Sequence, residues 1–200
     1  MNKQDYSSSI KKTPYNYLLS KKIGVLLDKG LLYPEIYKKC FDENYVGISS
    51  LQRRREVTNT IYGRLAVFDP FLLHSFVSDS ISTSRFLLAY AIAKTDRLFS
   101  EFLLTVYRDA TSGKKEKITL TDFDDFFLSV QEKNPIDAKW SPKTIDDLGT
   151  GYRNILVQSG LCSRVRKTLL PQKAILSPAI TQHIEQIGDY VYLQALLGAK

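Results

Sequence analysis

SSLQRRREVTNTIYGRL, residues 49–65, decides how this chain is read. Ser49 followed three positions later by Gln52 has the pattern of a capping box, which starts a helix. Val57, Ile61 and Leu65 recur at helical spacing, so the helix should run to about Ala66. A helix turns about 100° per residue, and Ile61 marks the centre of the buried stripe. Arg54 then falls about 20° from that centre, inside the stripe, whereas Arg55 and Asn59 fall at about 120° and 160° and face outward. Arg53 and Arg64 fall at about 80° and 60° on the opposite flank. Arg54 must find a carboxylate or a carbonyl within the protein, because an unpaired buried charge is costly. Arg55 and Asn59 suit base edges in a major groove, and Arg53 and Arg64 lie where phosphate contacts can form. Positive charge at a helix N-terminus opposes the dipole, so three arginines there suggest a reason beyond folding. The plainer alternative, solvated arginines on a surface helix, stays open.

Upstream, residues 1–13 read as a flexible lead-in. A helix is expected over Tyr15–Asp28, stopped by Gly30. Pro34 suits the first position of a second helix, with Ile36, Tyr37, Cys40 and Phe41 as its buried stripe. Asn44–Gly47, NYVG, makes a turn. Three helices joined by two short turns, the third bearing arginines, resemble a helix-turn-helix unit.

Downstream, Asp69 and Pro70 open a helix over Phe71–Val77. Residues 81–110 are apolar on more than one face, the pattern of a buried centre, and can break into two helices near Thr95 and Asp96. TSGKKEKITL, residues 111–120, reads as a turn and a short strand, with Lys114, Lys115 and Lys117 as a further basic patch. Thr121 is the expected cap of the next helix, with Asp122, Asp124 and Asp125 in its first turn and Phe123, Phe126, Phe127 and Val130 inside. NPIDAKW, residues 134–140, is a loop. Ser141 and Pro142 start a helix that ends at Ser159 and Gly160. Lys143, Thr150, Arg153 and Asn154 lie on its outer face, which Asp146 shares. Gly149 and Gly151 either weaken this helix or let another backbone approach. Residues 161–176 look like a two-stranded ribbon, a wing whose Arg164, Arg166 and Lys167, with Lys173, are candidates for phosphate contacts.

The 200 residues carry a net charge of +7, 12 Tyr and 10 Phe, enough apolar material for a core. The charge is uneven: +6 over residues 1–67, −3 over 68–132 and +4 over 133–200. Two basic regions around an acidic middle suit contact with a polyanion. The two cysteines form no CxxC pair and the two histidines lie far apart, which argues against a disulfide framework or a zinc site. His74, among Phe71, Leu72, Leu73 and Phe76, reads as structural. No Walker loop, GxGxxG or GxSxG occurs, and DFDDFF fits helix-start acids better than metal ligands. The expectation is no enzyme, no cofactor and no metal. The N-terminus has no apolar h-region, and the longest charge-free run, Ala174–Ile184, is too short to span a bilayer. A soluble cytoplasmic protein is expected.

The chain resembles the BrxA family of bacterial BREX phage-defence loci over nearly its whole length. The likeness rests on YSSSI (6–10), SLQRRREVTNTIYGRL (50–65), SRFLLAYAIAKTDRLFSEFLLTVYRD (84–109), LTDFDDFF (120–127), TIDDLGTGYRNILVQSGL (144–161) and ILSP (175–178), in that order. The resemblance implies a small, non-enzymatic, mostly helical protein with winged-helix-like units that binds double-stranded DNA. It also implies neighbours in the locus: an ATPase, an adenine methyltransferase and an alkaline-phosphatase-like protein. Members are likened to helical RNA-binding antitermination factors of the NusB type, and some carry an inner-membrane label that the hydropathy here opposes.

The combined expectation is a mainly α protein with two helix-turn-helix or winged-helix-like units and short β-ribbon wings. Residues 14–80 would form the first unit, and residues 81–200 the second, with the buried central helices. Double-stranded DNA would meet Arg53, Arg55, Asn59 and Arg64 in the first unit. In the second it would meet Lys143, Arg153, Arg164, Arg166 and Lys167. A protein-interaction scaffold and a helical RNA binder are the alternatives.

Overall fold

The computed structural model describes residues 6–135 and 138–198. α1 (Tyr17–Asp28), α2 (Tyr33–Tyr37) and α3 (Leu51–Leu65) form the first group of helices. α1 stops where Gly30, at φ +82°, donates its N–H to Leu27 O, a left-handed closure that glycine favours. Pro34 sits in the first turn of α2, which continues as a wide π-helical turn over Lys38–Asp42. The chain then turns at Asn44 and Gly47, where Asn44 Oδ1 accepts the Ile48 N–H at 2.8 Å.

α3 starts one residue later than the capping-box expectation. Ser50, not Ser49, is the cap, and its Oγ accepts the Arg53 N–H at 3.3 Å. Gln52 has no capping role and instead donates to Glu56 at 3.1 Å.

α4 (Pro70–Ser78) begins on an Asp69 cap and leads to α5 (Ile81–Thr95). Phe86–Ala93 of α5 are buried without interruption, as a helix apolar on all sides must be. The expected break falls at Asp96, whose carboxylate accepts the Phe99 N–H at 2.9 Å and caps α6 (Arg97–Phe102). α6 passes through a π-helical turn, Leu103–Tyr107, into α7 (Arg108–Thr111).

The strand expected before the next helix is a single bridging residue, Ile118, paired antiparallel with Leu169. Thr119, not Thr121, caps α8 (Leu120–Lys133), and Asp122 completes a capping box by accepting the Thr119 N–H at 2.8 Å. The earlier start leaves Phe123, Phe126, Phe127 and Val130 on the buried side, as the pattern requires. α9 (Pro142–Gln158) follows its Ser141 cap. β1 (Cys162–Val165) and β2 (Thr168–Pro171) pair antiparallel with Cys162 opposite Pro171, so the local strand order is Ile118, β2, β1. α10 (Pro178–Gln186) and α11 (Tyr190–Leu197) close the chain. Asp189, between them, accepts from Tyr90 and pairs with Lys94 on α5.

One hydrophobic cluster runs from Ile10 to Leu196. α5 is its axis and touches α1, α3 and α4 on the one hand and α6, α9 and α11 on the other. A flexible lead-in to residue 13 does not hold for residues 6–13. Tyr6 donates to Glu101 at 3.0 Å and packs edge-on against Trp140, and Ile10, in a 3-10 turn over Ser9–Lys11, is fully buried. Residues 1–5 lie outside the described residues, as do two of the NPIDAKW loop. Among the described residues, no helix is long and apolar enough to cross a membrane.

Candidate nucleic-acid interface

The π-helical turn and the tight connection behind it bring the start of α3 against α2, and the three arginines of α3 separate accordingly. Arg54 is buried and its guanidinium is taken up by main-chain carbonyls: Nε donates to Ile48 O at 2.8 Å, and the Nη groups reach Phe41 O and Ser49 O. It ties the preceding segment to the helix, because one charged donor group meets three main-chain carbonyls ahead of α3.

Arg55 and Asn59 lie exposed, one turn apart. Each touches a tyrosine of α2. Arg55 Nε donates to Tyr37 Oη at 3.2 Å, with its guanidinium 5.2 Å from the centre of the Phe41 ring. Tyr33 Oη donates to Asn59 Oδ1 at 3.0 Å. These aromatic partners were missed in the sequence, where Tyr37 and Phe41 read as core. Both are half-buried, and only Ile36 and Cys40 of the expected stripe are fully enclosed. The available signal was the spacing Tyr33, Tyr37, Phe41, four residues apart, which places the rings in a row along one helix face.

Two other α3 arginines sit differently from expectation. Arg64 is 4% exposed and donates to Pro14 O at 3.1 Å and Thr13 O at 2.6 Å, so its position on the phosphate side is corrected. The chain entering α1 covers that flank. Burial lowers the Arg64 pKa to about 10, partly offset by the Asp96 charge, and the group stays cationic at neutral pH. Arg53 is half-buried. It donates to Lys12 O and, at 3.2 Å, to Thr13 Oγ1, and lies 3.5 Å from a Glu56 carboxylate oxygen.

In the second half, Lys143 is exposed in the first turn of α9, 3.9 Å from Asp147. Arg153 folds back on its own helix, donating to Gly149 O at 3.2 Å and Thr150 Oγ1 at 2.7 Å. The hairpin brings Arg164, Arg166 and Lys167 together at its exposed tip, with Arg166 at φ +55° in the turn. Of the expected lysine patch, Lys114 pairs with Asp109 and Lys115 with Asp122, which cancels most of its charge. His74 is exposed beside Asp28. Both cysteines are buried, and burial pushes the Cys162 thiol up to about 12 and the Cys40 thiol up as well, so neither is poised as a nucleophile.

These features define a small, mainly helical protein with a polar, arginine-bearing helix face and a separate basic hairpin. Among the described residues, no group of three or more His, Cys, Asp or Glu is placed to hold a metal ion. A family model for BrxA matches residues 4–188, and a BREX protein BrxA of Bacillus cereus (strain H3081.97) is 30% identical over 195 residues, covering 98% of each chain. The chain belongs to the BrxA family. The crystal structure of an uncharacterized protein from Magnetospirillum magneticum shares the fold, with a TM-score of 0.83 over 97% of this chain and 99% of that one at 18% identity.

Proposed function

We propose that the chain is a non-enzymatic, double-stranded-DNA-binding component of a BREX bacteriophage-defence system. The exposed pair Arg55 and Asn59, presented early in α3 after a tight turn, carries this reading. Those residue types in that place match the part of a helix-turn-helix that enters a major groove. A second contact is supported by α8, α9 and the hairpin. Their order, with Ile118 beside β2, fits a winged helix whose wing carries Arg164, Arg166 and Lys167. Lys143 stands at the start of the helix that would face DNA, while Arg53 and Arg153 are partly engaged within the protein. The relative from Bacillus cereus is named as a BREX protein, which supports the assignment to that system. The family resemblance adds the partners: the ATPase, the adenine methyltransferase and the alkaline-phosphatase-like protein.

A short labelled duplex titrated at several salt concentrations tests the reading. The logarithm of affinity should fall with that of salt at a slope of about −0.9 per neutralised phosphate. Arg55→Ala and the combined Arg164→Ala, Arg166→Ala, Lys167→Ala variant should each weaken binding, and the hairpin variant should flatten the slope. Binding indifferent to both variants, or a preference for structured RNA, would refute it.

A further inference from the structure

We infer that Tyr33 and Tyr37 are positioning residues that make α3 selective, holding Asn59 ready for an adenine and Arg55 ready for a guanine. This rests on the duplex-binding reading above and says which bases that face would take. Four rings support the two polar side chains. Tyr33 packs on Tyr62 of α3 at 4.6 Å and on Tyr37 at 5.9 Å, and Tyr37 stacks on Phe41 at 5.1 Å. Phe41 in turn lies under the Arg55 guanidinium.

The hydrogen bonds leave the right edges open. Tyr33 occupies one lone pair of Asn59 Oδ1, so the other lone pair and both Nδ2 hydrogens remain. An adjacent acceptor and donor are what adenine N6 and N7 require. Tyr37 takes the Nε side of Arg55, so the Nη1–Nη2 end remains, and that fork meets guanine O6 and N7. Glu56, the acid between them in sequence, is drawn away by Arg53 at 3.5 Å and Lys12 at 3.9 Å. Side chains already held in one orientation lose less freedom on binding, so the restraint favours the matching bases. Four helical residues rise about 6 Å, and base pairs are about 3.4 Å apart, so the two bases should lie about two steps apart.

Selection from a random-sequence duplex pool, followed by single 7-deaza replacements at the selected purines, tests this. The bound pool should be enriched in a guanine and an adenine about two steps apart. Each deaza base, lacking N7, should weaken binding about fivefold or more. Tyr33→Phe, which keeps the ring, should erase the effect at adenine alone. Tyr37→Phe should do so at guanine alone, and neither should change the salt slope. A pool without enrichment, bound with a steep salt dependence, would overturn the inference and leave DNA binding intact. Enrichment that both phenylalanine variants retain would overturn the role of the tyrosines. Absence of duplex binding at low salt would remove the parent reading and this one together.

Discussion

Gly149 and Gly151 stand two residues apart on α9 and meet different neighbours. A Cβ at Gly149 would lie 3.7 Å from Phe123 Cβ, an ordinary contact, whereas one at Gly151 would lie 2.7 Å from Ile10 Cγ2 and 3.2 Å from Ile10 O. Alanine for glycine in a helix interior is otherwise favourable by about 0.5–1 kcal/mol. Gly149→Ala should therefore raise the denaturant midpoint, and Gly151→Ala should lower stability by about 1–3 kcal/mol through overpacking. Chemical unfolding of the two variants side by side checks the opposite signs. The sequence offered both readings of these glycines; choosing between them needed the N-terminal segment in place. The same segment explains Arg64, whose angle on α3 lies near the buried arc but whose carbonyl partners are about 50 residues away in sequence. Asp96 shows the cost of such burial. It is 5% exposed, and burial pushes its carboxyl up to about 6, against the lowering influence of the Phe99 and Leu98 N–H groups and of Arg64. The unfolded value is about 3.9, so the folded protein binds this proton more tightly. The contribution is fully present below about pH 4 and is lost as pH rises through about 6. Asp96→Asn keeps an acceptor for the Phe99 N–H and removes the titration. Wild-type stability minus that of the variant should fall between those pH values, by no more than about 1.4 kcal/mol per unit. Urea unfolding across that range measures it, and a constant difference would refute the assignment.

At the scale of elements, apolar spacing marked the helices well because burial imposes it, and it marked their ends less well. Ser49 and Ser50 are both plausible caps, as are Thr119 and Thr121, and the choice depends on which hydroxyl reaches an N–H two or three residues on. Ser50→Ala should cost about 1 kcal/mol, while Ser49→Ala should cost little. Thermal unfolding of the two variants distinguishes them, and a larger loss from Ser49→Ala would restore the earlier start. The π-helical turn at Lys38–Asp42 had no signal in the sequence, since no residue type demands it. Its wider winding changes the face that follows and accompanies the half-exposure of Tyr37 and Phe41. The outward pair Arg55 and Asn59 was legible from the periodicity of α3 alone. What each side chain touches was not, because those contacts come from α2.

For the whole molecule, the N-terminal segment and α5 join what the sequence presents as two units. Tyr6 reaches Glu101 on α6 and Asn134 after α8, Ile10 lies against Gly151 on α9, and Thr13 meets Arg53 and Arg64 on α3. The strap, residues 6–13, thus connects the helix bearing Arg55 with the helix before the basic hairpin. The hydrophobic cluster is continuous through α5, which touches α1, α3 and α4 of the first half and α6, α9 and α11 of the second. Unfolding should then be one cooperative transition, with Trp140 fluorescence, which reports the packing of Tyr6 and Phe127, coincident with the loss of exchange protection in α3. Ile10→Ala removes a fully buried side chain at the crossing and should cost about 2–5 kcal/mol. It should move both signals together, because the strap contacts both sets of helices. Two separated transitions, or a variant that shifts Trp140 fluorescence while α3 keeps its protection, would mean that the halves fold independently and that the strap fixes nothing between the two basic surfaces.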